Sequence, residues 1–355
     1  MDKKNVLILF GGVSPEHEIS KISVETVIKA LPEEKYHIVP VYITPEGKWL
    51  LYDGTIDRVK NVAWEKFGTP AILSPDRVNK GLLRIVGDKV KTIPVDVVFP
   101  VLHGENGEDG TIQGLCALAD IPCVGCGVLS SAVSMDKTIM KVIASQIGLK
   151  QAKYLAFHKH ELEDADEAAK LVRYQLGYPC FVKPACAGSS VGISKASNKK
   201  ELLAAFDMAL QISNKIVVEK AVKGRELETA VLGDITEVEV APLVGEIVAA
   251  AEFYNYDAKY NNAESKTLVP APIPDEIAEK TREMAAAMFK AVNGSGMARI
   301  DFFLDENDEI IFNEINTVPG FTSISMFAML WAASGMPWPE VLDYLIEIAL
   351  RGNNG

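Results

Sequence analysis

Residues 298–320, "ARIDFFLDENDEIIFNEINTVPG", constrain the fold of this 355-residue chain more tightly than any other stretch. Two runs of alternating polarity, 298–305 and 309–316, flank a short polar turn, which predicts a β-hairpin. With Asn307 and Asp308 as a two-residue loop, Asp301 faces Glu314, Arg299 faces Asn316 and Phe303 faces Phe312. The side-chain period of two puts all six on one face. Directly facing residues have Cβ atoms about 4.5–5.5 Å apart. Two carboxylates at that separation repel unless a cation lies between them, and an Asp, Glu, Asn oxygen set suits Mg²⁺. A solvated acidic hairpin would show the same alternation. The Arg on the same face and the Pro-Gly that follows make the pattern more particular than that.

A second stretch, "VKPACAGSSVG" at 182–192, leaves a strand through Lys183 and enters a turn of small residues. Small residues let backbone N–H groups approach an anion closely, and the Ser189 and Ser190 hydroxyls add donors. It is not the common phosphate loop, which has its lysine directly after the last glycine. On its own it also fits a hairpin turn with incidental serines. "KIVVEKAVKGRELE" places Glu219 and Lys220 at a strand end, then a glycine turn and Glu226, and by itself reads as a charged edge. "HGENGEDGTIQG" opens with His103, and a lone histidine at a strand end is more often structural than catalytic. Glu16, in "GGVSPEHEIS", fits equally a first-turn carboxylate that complements a helix dipole.

The apolar runs "NVLILF", "HIVPVYIT" and "VDVVFPVLHG" are nearly continuous and separated by helical or longer connections. They predict an open, mostly parallel α/β sheet over residues 1–124, with glycine turns at the strand ends where such sheets bind ligands. Residues 125–219 alternate predicted helices with the strands "CFVKP" and "KIVVEK"; residues 220–355 hold further strands, a helix at 275–292, the hairpin and an apolar C-terminal helix.

Charge and cysteines narrow the function. A net charge of −12 argues against a nucleic-acid partner. No apolar run reaches the roughly 18 residues of a membrane span, and no secretory leader is evident, so a cytoplasmic protein is expected. Five irregularly placed cysteines do not suggest a disulfide framework. The Cys123-x-x-Cys126 pair lacks the second pair or the histidines that a zinc site needs.

Taken in order, "GGVSPEHEIS", "HGENGEDGTIQG", "SMDK", "VKPACAGSSVG", "EKAVKGRE", "YDAKY", "ARIDFF" and "NEINTVPGFTSIS" resemble the ATP-grasp ligases, specifically the D-alanine–D-alanine ligase family, along nearly the whole chain. That resemblance implies an ATP-grasp fold of three domains, α/β followed by α+β, with ATP between antiparallel sheets of the central and C-terminal domains. It implies ATP as substrate and two Mg²⁺ ions, replaceable by Mn²⁺, on Asp301, Glu314 and Asn316. Lys137 and Lys183 would contact the phosphates beneath a loop carrying Ser189 and Ser190. Glu219, the backbone at Lys220 and Ala221, and Glu226 would hold adenine and ribose, with stacking from Phe303 or Phe312 because Ala221 is small. Glu16 would bind the ammonium of the first D-alanine and His103 its carboxylate. Ser325 and Lys259 would hold the second carboxylate, with Met326 shaping that pocket. Tyr260, on a mobile loop, would link Ser189 and Glu16; Arg299 and the Gly320 N–H would stabilise the oxyanion.

The implied role is dipeptide supply for peptidoglycan, by a homodimer. Phe327-Ala328 replaces the more usual Tyr-Pro after Ser-Met, which bears on the second-substrate pocket. A D-alanine–D-serine ligase is the nearest alternative and a non-catalytic nucleotide-binding regulator a further one. A dinucleotide-dependent oxidoreductase would need a glycine fingerprint that "FGGVSPEH" does not supply. Cys186, in the phosphate-covering loop, is either an inert small residue or a position whose alkylation slows turnover.

Overall fold

The computed structural model describes residues 3–52, 67–188, 191–248, 266–322 and 325–352. Ser189, Ser190, Lys259 and Tyr260 lie outside the described residues.

Strand β1 (Lys4–Gly11) is the centre of the first sheet, parallel to β2 (Tyr36–Ile43) on one side and to β7 (Val97–Val101) on the other. Its period of two splits its side chains cleanly. Val6, Ile8 and Phe10 enter one core with Val24, Val27 and Ile28 of helix α1 (His17–Ala30). Leu7 and Leu9 enter another with Ile112, Cys116 and Ala119 of helix α2 (Thr111–Ala119). A strand apolar on both faces must be covered on both, which is why "NVLILF" shows no alternation.

Among the named strands of this sheet only these three pair in parallel, so the sheet is not mostly parallel as expected. Beyond β2 the sheet continues as an antiparallel meander, β3 (Trp49–Tyr52), β4 (Gly68–Leu73), β5 (Gly81–Val86) and β6 (Lys89–Pro94), giving the order β6-β5-β4-β3-β2-β1-β7. Tight connections such as Gly87-Asp88 between β5 and β6 allow only antiparallel neighbours.

The second sheet has the order β10-β9-β11-β8 and is antiparallel throughout, from β8 (Tyr154–His158), β9 (Cys180–Pro184), β10 (Ser194–Ala196) and β11 (Lys215–Lys220). Cys180, Val182, Ile216 and Val218 point into a core with Val172, Leu202 and Phe206 of the two covering helices. The alternate residues, Lys183 and Glu219 among them, therefore face the other way.

The third sheet follows the path β15-β14-β12-β16-β17, where β14 is Gly245–Val248 and β15 is Lys266–Leu268, with β13 (Val238–Val240) paired to β12. Strands β12 (Gly224–Gly233) and β16 (Gly296–Asp305) lie inside it and β17 (Ile310–Asn316) ends the path, all antiparallel. Helix α4 (Lys137–Gln146), which follows α3 (Val128–Met135), sends Met140 and Ala144 into the core of this sheet.

The hairpin differs from expectation in one respect. Arg299 pairs with Asn316 and Asp301 with Glu314, but a bulge between Asp301 and Phe302 then shifts the register. Phe302, not Phe303, faces Phe312, and the turn is closed by Asp305 N–H on the Glu309 carbonyl, with Asp308 at φ 58°. A three-residue turn ending in a left-handed residue replaces the two-residue loop, and Asn313 is the extra residue on β17.

Candidate active site

Four loops, two strands and parts of three helices converge on a cavity of about 130 Å³. Eight of the residues singled out in the sequence line it: Glu16, His103, Lys137, Arg299, Glu314, Asn316, Gly320 and Ser325. The turn after β1 carries Glu16, and the turn after β7 carries His103, at the carboxyl ends of neighbouring strands where an α/β sheet binds its ligands. Both turns are tied together, since Ser14 Oγ donates to the His103 carbonyl at 2.6 Å and accepts from Glu16 N–H at 3.2 Å.

Glycines are required beside the Glu16 carboxylate. A Cβ at Gly104 would stand 2.6 Å from Glu16 Oε2, and one at Gly188 2.9 Å. The loop after β9 thus approaches Glu16 by backbone, and a side chain at Gly188 would displace the Glu16 carboxylate. His103 is buried, and burial on its own would lower its pKa. Glu108, with an oxygen 3.7 Å from Nδ1, together with Glu16 and the Val318 backbone, outweighs burial and raises it. The imidazolium is favoured, as suits a group facing a carboxylate.

Lys137 begins helix α4, directly after Asp136, whose carboxylate caps the helix by accepting from Thr138 and Ile139 N–H. Its Nζ donates to the Ala187 carbonyl at 2.7 Å and lies 3.8 Å from Glu314. Lys215 pairs with Asp136 and holds the cap in place. Cys186 is exposed.

On the third sheet three carboxylates form one row across adjacent strands, Glu228 on β12, Asp301 on β16 and Glu314 on β17. Arg299 lies among them. It donates from Nε and Nη2 to the two Asp301 oxygens at 2.8 and 2.7 Å, and its Nε is 3.1 Å from Glu228. Burial opposes the guanidinium charge, but Asp301 and Glu228 raise its pKa further above the ordinary value. Asn316 Nδ2 donates to Asp301 at 3.0 Å, leaving its carbonyl oxygen as a further donor atom. Asp301, Glu314 and the Asn316 carbonyl make a set of hard oxygens on neighbouring strands, which fits Mg²⁺ or Mn²⁺.

The next row on the same face is Glu226 opposite Phe303. Phe303 is half-buried there, whereas Phe312 is 1% exposed and stacks edge-on to Phe302 in the core at 6.0 Å. The bulge has turned Phe312 away from the carboxylate face, which corrects the expected pairing and leaves Phe303 as the available aromatic surface. Lys183 and Glu219 face the same region from the second sheet, Nζ to Oε2 at 3.0 Å. The Lys220 and Ala221 N–H groups donate to the Lys153 and Pro179 carbonyls. Gly320 lies against Ser325, whose hydroxyl is 2.8 Å from that of Thr322. Met326 is buried, with its sulfur against Gly245.

Sequence reasoning missed Glu108, Lys141 and Glu228. Glu228 was within reach, two residues after Glu226 on one strand face. Lys141 was too, one helical turn after Lys137. Cys123 contacts Cys116, while Cys126 Sγ lies 3.6 Å from the Met297 carbonyl.

Two family models match, the D-ala D-ala ligase N-terminus over residues 5–126 and the D-ala D-ala ligase C-terminus over residues 143–347. The chain is 45% identical to a D-alanine–D-alanine ligase of Caldicellulosiruptor bescii, covering 99% of this chain and 97% of that protein. It is 47% identical to one of Clostridium acetobutylicum, covering 99% of each. Among solved structures it is similar to the VanG D-Ala:D-Ser ligase of Enterococcus faecalis, with 38% identity, TM-score 0.88 and coverage of 98% of this chain and all of that one. It is also similar to the D-alanine–D-alanine ligase of Coxiella burnetii, with 31% identity, TM-score 0.84 and coverage of 99% and 96%.

Proposed function

The chain belongs to the D-alanine–D-alanine ligase family, and from that membership we propose that it joins two D-alanines into D-alanyl-D-alanine with ATP, supplying peptidoglycan precursors. The observation that carries this reading is the single cavity uniting Glu16 and His103 with Arg299, Gly320 and Ser325, beside Lys137 and Glu314. A regulator that only bound nucleotide would have no use for an amino-acid end so equipped.

A carboxylate oxygen is a poor leaving group, so activation comes first. The γ-phosphoryl of ATP passes to a carboxylate oxygen of the first D-alanine, giving ADP and an acyl phosphate. The amine of the second D-alanine forms the C–N bond at that carbon, and inorganic phosphate departs as the C–O bond breaks. Glu16 holds the first ammonium, and His103 holds the first carboxylate in line. Lys137 and Lys183 take the phosphate oxygens, covered by Ser189 and Ser190. Glu219, Glu226, Phe303 and the Lys220–Ala221 backbone receive adenine and ribose. Asp301, Glu314 and Asn316 would hold two Mg²⁺ ions, which would supply charge neutralisation for phosphoryl transfer. Arg299 and the Gly320 N–H stabilise the oxyanion of the tetrahedral intermediate. Ser325 and Lys259 receive the second carboxylate, Met326 backs that pocket, and Tyr260 links Ser189 to Glu16.

The test is phosphate release from Mg-ATP with D-alanine alone, then with D-serine or D-lactate added, with products identified by mass. Dipeptide from D-alanine alone is expected. Product only with D-serine would move the acceptor, and no release with any acceptor while ATP binds would overturn the reading. The same reading carries with it a cytoplasmic homodimer whose chains divide at 1–124, 125–219 and 220–355. A monomer in sedimentation velocity would remove the dimer.

A further inference from the structure

Lys141 has no part in the roles above, yet it is 1% exposed. An ammonium taken out of water costs several kcal/mol unless it is paired, and burial pulls the Lys141 pKa below its ordinary value against the pull of a nearby anion. That anion is Glu219, with Oε1 3.2 Å from Lys141 Nζ, while Oε2 takes Lys183 at 3.0 Å. One carboxylate serves two lysines, one on each oxygen. The two cations differ in freedom. Lys183 leaves β9 toward the phosphate-covering loop and keeps 12% of its side chain exposed. Lys141 is sealed beneath, its Nζ 5.4 Å from the centroid of the Tyr154 ring, and Tyr154 is itself the strand partner of Glu219. When phosphate oxygens arrive, Lys183 has a second anion to turn to, whereas among the described residues the ion pair of Lys141 is with Glu219.

We infer that Lys141 is a positioning residue for the base end of the nucleotide, keeping Glu219 charged and fixed while Lys183 turns to the phosphates. This rests on the reading that Glu219 contacts adenine and ribose. Loss of the pairing leaves Glu219 free to rotate after Lys183, and an acceptor aimed at the base is lost.

Calorimetric titration with adenosine and with ADP, in the absence of metal and D-alanine, tests it on Lys141→Met, Glu219→Gln and the double variant. Lys141→Met should weaken adenosine and ADP by the same factor, about tenfold or more for a charge-assisted contact. The KM for D-alanine should stay within about twofold, because the interaction is confined to the nucleotide. In the Glu219→Gln background, Lys141→Met should add nothing further, since non-additivity marks two groups acting as one. Unchanged adenosine binding in Lys141→Met, while Glu219→Gln weakens it, would overturn the inference. So would a loss confined to ADP, which would place the effect on the phosphates. Unchanged adenosine binding in Glu219→Gln would instead remove the nucleotide role of Glu219, and the inference with it. Should Lys141→Met fail to fold, the double variant against Glu219→Gln decides, and any further loss of adenosine binding overturns it.

Discussion

Arg299 touches three carboxylate oxygens, two from Asp301 and one from Glu228, and Glu219 touches two lysines. At the scale of single residues the site is built from charges that share partners, so each can be handed over when ligands arrive. Glu314 stands in the Asp301 row with an oxygen 3.8 Å from Lys137 Nζ. Glu314→Gln should lower kcat by roughly 10²–10³-fold, the scale for losing a preorganised charge at the reacting centre. The thermal midpoint should change little, and near-normal turnover would remove Glu314 from the metal set. Glu219 predicts a pH effect. Burial alone would push its carboxyl up, but Lys141 and Lys183 hold it down to about 2 from the ordinary 4.5. A depressed acid stabilises the fold fully above its unfolded value and loses that contribution as pH falls through its folded value. The gap in melting temperature between wild type and Glu219→Gln should therefore be constant above about pH 5 and narrow toward pH 2. A gap independent of pH would mean that Glu219 is not ionised in the fold.

At the scale of elements, the β16–β17 hairpin separates what periodicity can and cannot supply. Alternation correctly paired Asp301 with Glu314 and Arg299 with Asn316, because those pairs lie on one side of the bulge. It failed for Phe303 and Phe312, because one extra residue on one strand inverts every face beyond it. The consequence is measurable. Phe312→Ala should destabilise the fold by about 3–5 kcal/mol, as expected for a buried aromatic. Phe303→Ala should cost far less stability and raise the KM for ATP. Equal stability losses, or a raised KM for Phe312→Ala alone, would contradict the register.

The whole molecule is held by elements distant in sequence. Helix α9 (Trp338–Leu350) packs Leu342, Leu345 and Ile346 into one core with Val6, Ile8 and Phe99 of the first sheet and Met297 of the third. Beside Gly320, Phe321 enters the same core and meets Phe99 edge-on at 5.6 Å. Leu345→Ala, at a fully buried position, should cost about 2–5 kcal/mol. It should also raise the D-alanine KM more than the ATP KM, because the two turns holding Glu16 and His103 are tied to this core. A stability loss with both constants unchanged would uncouple them. The sequence by itself determined the elements and the order of motifs, since hydrophobic period, caps and glycine turns act over a few residues. Only the tertiary structure decided that Glu228 stands beside Arg299, that Lys141 is sealed under Glu219 and that a bulge turns Phe312 inward. Burial and charge pairing depend on which distant surfaces meet, and a local pattern carries no record of that.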